Sequence, residues 1–307
     1  MPLPTTSTQV SFPAGATEGR SPVVAVHDLG AGRYGIVTEA TPFHPLDHTW
    51  PDQPADTGTL TVAGTGLAVV DCLTGAVGPG SDGIVVGADI PVRRGDEDWA
   101  WLVLHVVEPP EALLAGDLAA ADLLGTVADL RVDAGRRAAL SAAHTGCHLL
   151  ALALNAALAP RWRKDPGRSD AFGHPDFDSL AMSSSRMDTV ASTDVYRLGK
   201  SLRKKGFTAE ATEEFPALAE ALPAITRAVN DQLAAWVGAD AAVRIEVPGP
   251  ELTARRRWAC DLPAGTAAIF CGGSHLHRLG ELTSLTADLT LSADGTELTA
   301  VTTPKRA

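Results

Sequence analysis

The hydrophobic period of this chain changes once, near residue 132, and that change constrains the possible folds more than any other feature. Before it lie short β-branched or alternating runs: GIVTEATPF (35–43), GTLTVAGTGLAVVDCL (58–73), DGIVVGADIPV (82–92) and AWLVLHVVE (100–108), separated by Gly, Pro and Asp. Side chains alternate with period 2 along a strand, so these runs predict a small β-barrel or sandwich. EALLAGDLAAADLL (111–124) predicts a short helical interruption. From VDAGRRAALSAAHTGCHLLALALNAAL (132–158) the period is helical, with Asp133 as N-cap and Pro160 as the stop. PALAEALPAITRAVNDQLAAWVG (216–238) predicts a second amphipathic helix. AVRIEV, TAAIFC, LTSLTADLTL and ELTAVTT then read as strands. The expected organisation is a β domain over 1–132 and an α+β domain over 133–307, with a polar loop over 163–178.

A chain of 307 residues is comfortable for two cores. No run of about 18 apolar residues occurs, so no membrane-spanning helix is expected, and no secretory signal is expected from MPLPTTSTQVSFPAG. The four cysteines (72, 147, 260 and 271) form no disulfide framework, which suits the cytosol. A net charge of −12 argues against a surface coated in positive charge, though not against a local basic patch.

Two short motifs carry the chemistry. His144 and His148 stand four residues apart in an apolar helical run, so both imidazoles leave the same face about one turn apart. IFCGGSHLHRLGEL (269–282) holds Cys271 and His275 at C-x3-H, with Gly272 and Gly273 allowing the backbone to turn between them. A thiolate with imidazoles suits Zn²⁺. The expected ligand set is His144, His148, Cys271 and His275, with Cys147 and His277 as substitutes. The helix is not that of a zinc protease, because H-E-x-x-H would need Glu where Thr145 stands.

HTGCHLL together with CGGSH resembles the paired zinc motifs of the alanyl-tRNA editing family, which includes the free-standing AlaX proteins and the editing domain of alanyl-tRNA synthetase. TPFHPLDHTWPDQPADTGTL (41–60) and VDAGRR (132–137) are similar to that family's upstream segments, so the resemblance covers most of residues 35–290 in order. It implies an N-terminal β-barrel followed by an α+β zinc editing domain, and a zinc-activated water hydrolysing the ester of a mischarged aminoacyl-tRNA. It also implies zinc ligands at His144, His148, Cys271 and His275. A specialised member of the family acts on fluorothreonyl-tRNA, so alanyl-, seryl-, threonyl- and fluorothreonyl-type esters are the expected substrate class. The chain departs from the family where LDHTWPDQ (46–53) replaces a Gly-Gly-Gln segment and where Thr145-Gly146-Cys147 replaces Thr-Ala-Thr. Selectivity is therefore expected to involve His44, His48, Trp50, Gln53 and Thr145.

YRLGKSLRKKGF (196–207) supplies Arg197, Lys200, Arg203, Lys204 and Lys205 as phosphate contacts, and Arg161, Arg163 and Lys164 follow the histidine helix. ARRRWA (254–259) reads as a basic strand edge, and Ser183–Asp188 as a polar loop able to bond the amino acid or terminal adenosine. No aminoacylation domain or ATP-binding motif is present. Beside the deacylase, the sequence leaves two alternatives: a tRNA-binding module with structural zinc, and a zinc hydrolase of a small ester or amide.

Overall fold

The computed structural model describes residues 3–108 and 120–307. Contacts divide them into two units. The first takes in residues 1–138, 245–256 and 271–274, and the second residues 139–244, 257–270 and 275–307. The protein is mixed α+β with several sheets.

In the first unit, β1 (Gln9–Val10) pairs in parallel with β4 (Ala40–Thr41). The main sheet is made of β2 (Glu18–Gly30), β3 (Arg33–Thr38), β5 (Gly58–Val62), β6 (Thr65–Val77), β7 (Val85–Val86), β8 (Ala100–Val107) and β9 (Val127–Val132). Its order is β5-β9-β2-β3-β8-β6-β7, and β5 also pairs with β6, so six of the strands form a hydrogen-bonded ring. The alternation seen in the sequence over 58–73 appears as alternating burial along the first half of β6. Phe12, Ile36, Phe43, Leu60, Leu67, Trp101 and Leu130 fill the core, joined by Leu252. Of the helix expected over 111–124, only α1 (Ala120–Leu123) falls within the described residues; the rest lies outside them.

The helix α2 (Ala134–Leu158) begins as expected, with the Asp133 carboxylate accepting from the Arg136 N–H. It ends in a 3₁₀ turn, Ala159–Arg161, at Pro160. The span 134–161 is long and apolar enough to cross a membrane by length and composition alone, and most of its apolar window is buried in the protein. One turn into α2, the Arg137 guanidinium forms a buried ion pair with Asp56 and donates to the carbonyls of Pro42 and Ala16.

The second unit contains the sheet β10-β11-β16-β15, made of β10 (Met182–Met187), β11 (Ser192–Arg197), β15 (Leu282–Leu291) and β16 (Glu297–Arg306). A smaller sheet joins β12 (Val243–Glu246), β13 (Arg257–Leu262) and β14 (Gly265–Phe270). Two short helices, α3 (Phe177–Ala181) and α4 (Lys200–Lys204), precede α5 (Leu218–Gly238). The Asn230 amide of α5 exchanges two 2.8 Å hydrogen bonds with the Ala287 backbone of β15. The segment expected as a polar loop over 183–188 is for the most part β10. Its polar side chains suit an edge strand paired on one side with β11.

Two consequences are measurable. Asp56 is fully buried, and removing it strands the Arg137 charge in the core. Asp56→Ala is expected to cost about 3–5 kcal/mol in a denaturant melt, against a surface control such as Asp129→Ala near zero. Asp178 accepts from the Tyr196 hydroxyl at 2.9 Å. Burial, helped by the charges of Asp194 and Asp176, pushes its carboxyl from 3.8 up to about 7. The folded protein thus keeps a proton that the unfolded chain has lost between about pH 4 and 7, and this group makes stability fall as pH rises through that window. Asp178→Asn is expected to flatten that fall. Curves of unchanged shape across about pH 4.5–7.5 would assign it to other groups.

Candidate metal centre

The α-helical rise brings His144 and His148 together on one face of α2, with ring centroids 5.0 Å apart. The His275 ring lies 4.3 Å from that of His144 and 5.1 Å from that of His148. With Cys271 the four form a group whose ligand atoms all lie within 4.8 Å of one another. Bonds of 2.0–2.3 Å in a tetrahedral zinc shell put ligand atoms about 3.3–3.8 Å apart, so small side-chain adjustments close this group on one ion. His144 and His275 are buried, whereas His148 and Cys271 keep partial exposure.

The protonation chemistry suits a metal. Burial holds the His144 pKa down to about 3, and burial together with the neighbouring His144 holds His148 well below 6.5, so both imidazoles are neutral near pH 7. His148 Nε2 is buried without a hydrogen-bond partner, as a nitrogen reserved for a metal would be. The Cys271 thiol is pushed up to about 12, first by burial and then by Asp52; binding a metal would displace its proton.

Thr145 aligns the third imidazole. Its Oγ1 accepts from the Leu276 N–H at 3.1 Å and lies 3.3 Å from His275 Nδ1. A metal-bound imidazole donates from its other nitrogen, so Nδ1–H to Thr145 leaves Nε2 for the ion. The C-x3-H segment is held in turn by Gln53. The Gln53 amide donates to Ser274 Oγ at 2.9 Å and accepts from the Ser274 N–H at 3.0 Å. Cys271 N–H donates to the Arg256 carbonyl at 3.2 Å.

The substitute ligands fall outside the group. The Cys147 thiol donates to the His144 carbonyl and packs beside Leu140, Ala143 and Met187. His277 is exposed. Of the expected selectivity residues, Gln53 and Thr145 are buried and act on the ligand segment itself. His44 is buried edge-on to Phe12, His48 stacks on Trp101 at 6.1 Å, and Trp50 is exposed. The 46–53 segment still bears on the centre, because Asp47 and Asp52 both raise the Cys271 pKa. Arg94, which the sequence did not single out, opposes them and forms a 2.8 Å ion pair with Asp47.

Arg161 is a correction to the expected phosphate contacts. It is buried, its guanidinium donates to the carbonyls of Thr208 and Pro216, and it lies over the Phe215 ring. Those carbonyls, distant in sequence, hold it inside the second unit. Arg163, Lys164, Arg197, Lys200, Arg203 and Lys204 are exposed and Lys205 is half-buried. Arg163 and Arg203 line a cleft of about 530 Å³ with Gly206, Thr208, Asp294 and Thr296. In the basic strand edge, Arg255 and Arg257 are exposed, but Arg256 is buried on the carbonyls of Glu251 and Leu252. Trp258, also missed in the sequence, sits with its ring 5.1 Å from that of His148.

One zinc per chain is expected on elemental analysis of the purified protein, falling well below stoichiometry in Cys271→Ala. Thr145→Val, which keeps the shape but removes the acceptor for His275, is expected to weaken zinc binding about 10–100-fold in a chelator competition. Equal metal content in parent and Cys271→Ala would exclude this ligand set.

No family model and no curated protein sequence matches this chain.

Proposed function

We propose that the protein is a trans-acting aminoacyl-tRNA deacylase of the alanyl-tRNA editing type, which uses zinc to hydrolyse the ester between a wrong amino acid and its tRNA. The observation that carries this proposal is the His₃Cys group, formed by the two motifs that resemble that family's zinc motifs. The six-strand ring of the first unit fits the N-terminal barrel of such a protein. The cytosol, where charged tRNA is found, is its proposed place of action.

His144, His148, Cys271 and His275 hold the ion in this account. Bound there, zinc supplies a water of pKa near 7 instead of about 15.7 and polarises the ester carbonyl. Thr145 fixes the tautomer and orientation of His275, and Gln53 fixes the loop between Cys271 and His275. The exposed cations Arg163, Lys164, Arg197, Lys200, Arg203 and Lys204, with Lys205, take phosphates of the tRNA. Zinc chemistry is common to every aminoacyl ester, so discrimination falls to side-chain contacts. The 46–53 segment beside Cys271 is the place proposed for them.

A panel of alanyl-, seryl-, threonyl- and fluorothreonyl-tRNA, assayed with and without chelator, tests this function. At least one ester is expected to be hydrolysed, with loss on chelation and recovery on adding zinc. His148→Ala is expected to lose several orders of magnitude in rate while remaining folded, because most of the nucleophile present near pH 7 disappears with the metal. Zinc-loaded protein that binds tRNA without turnover would instead make it a binding module, and turnover of small esters alone would make it a general hydrolase.

A further inference from the structure

Trp258 lies in β13 and is fully buried. Its ring centroid is 5.1 Å from that of His148 and 6.2 Å from that of His275. The indole Nε1–H has no hydrogen-bond partner. An indole nitrogen only donates, so it cannot ligate a metal. A buried donor without an acceptor is unfavourable, and native interiors leave few such groups. Trp101, equally buried, satisfies its indole by donating to the Asp96 carbonyl at 3.1 Å.

The neighbouring ring carries the complementary atom, since His148 Nε2 is a buried acceptor without a donor. These two atoms are not bonded to each other. A metal taking the Nε2 lone pair and an oxygen on that metal accepting from the indole would satisfy both. We propose that Trp258 Nε1–H anchors an exogenous oxygen ligand at the metal, a solvent oxygen at rest and a carboxylate or ester carbonyl oxygen when one is bound. The inference rests on the metal reading of the site and is independent of tRNA. It gives the His₃Cys group a further coordination position, where four protein ligands alone would make a closed structural site. Trp258 is then a positioning residue for whatever oxygen occupies that position.

The test uses the zinc-loaded full chain with ¹⁵N-labelled indoles and acetate as the oxygen ligand. The Trp258 signal is assigned as the one lost in Trp258→Phe. It is expected to move downfield saturably as acetate is added. Trp258→Phe and a benzothienylalanine replacement, which keeps the ring shape without the N–H, are expected to keep one zinc and bind acetate about tenfold or more weakly by calorimetry. Should the Phe variant fail to fold, the isostere carries the comparison. An unmoved indole signal, unchanged acetate affinity in the isostere, or loss of zinc from it would overturn the proposal, the last by making the ring a packing element. A parent protein that takes up no zinc would overturn the metal reading together with it.

Discussion

The buried ion pair between Arg137 and Asp56 is the constraint on which the order of the first unit depends. Two charges taken out of water are tolerated only when their remaining hydrogen-bonding capacity is used. Arg137 spends its other donors on the carbonyls of Pro42 and Ala16, and the Asp56 carboxylate also accepts from the His44 N–H. The start of α2 is thereby tied to both ends of the 42–56 segment. His144 follows Arg137 by seven residues, about two helical turns and 10 Å further along the same rigid element.

Hydrogen bonds order the candidate metal centre itself. A metal site needs its imidazoles in the right tautomer and its loops in the right place, and both jobs fall here to neutral side chains. Thr145 presents one oxygen to His275 and to the Leu276 backbone, and Gln53 uses both ends of its amide on Ser274. Charge has a different part, since Asp47 and Asp52 act against the Cys271 thiolate and Arg94 for it. Coordination by a divalent cation would reverse that balance locally.

The ligand quartet was legible in the sequence because each half is a local pattern, i, i+4 on a helix and C-x3-H across two glycines. The strands over 100–107 and 282–291 were legible for the same reason, their burial being written in β-branched and alternating residues. What escaped depends on long-range partners. β10 has little apolar alternation and is a strand through its pairing with β11. β2 carries Pro22 and Gly19, which weaken its strand signal, yet it pairs with both β3 and β9. Arg161 looks like any cation beyond a helix until the carbonyls of Thr208 and Pro216 are brought to it. Trp258 reads as ordinary core; only the orphaned neighbour in the folded protein gives its nitrogen a meaning.

The two-sided grip of the Gln53 amide on Ser274 separates what evolution can change from what it cannot. Between the His44 anchor on Asp56 and the Gln53 anchor on Ser274 lie residues 45–52, held at both ends and with Trp50 facing solvent. Lengthening such a bridged loop adds little closure entropy, because the cost grows only logarithmically with length. New residues inserted there leave the Gln53–Ser274 hydrogen bonds, and the backbone they hold after Cys271, in place. Chain length can thus vary between the two anchors while the spacing of Cys271 and His275 is kept.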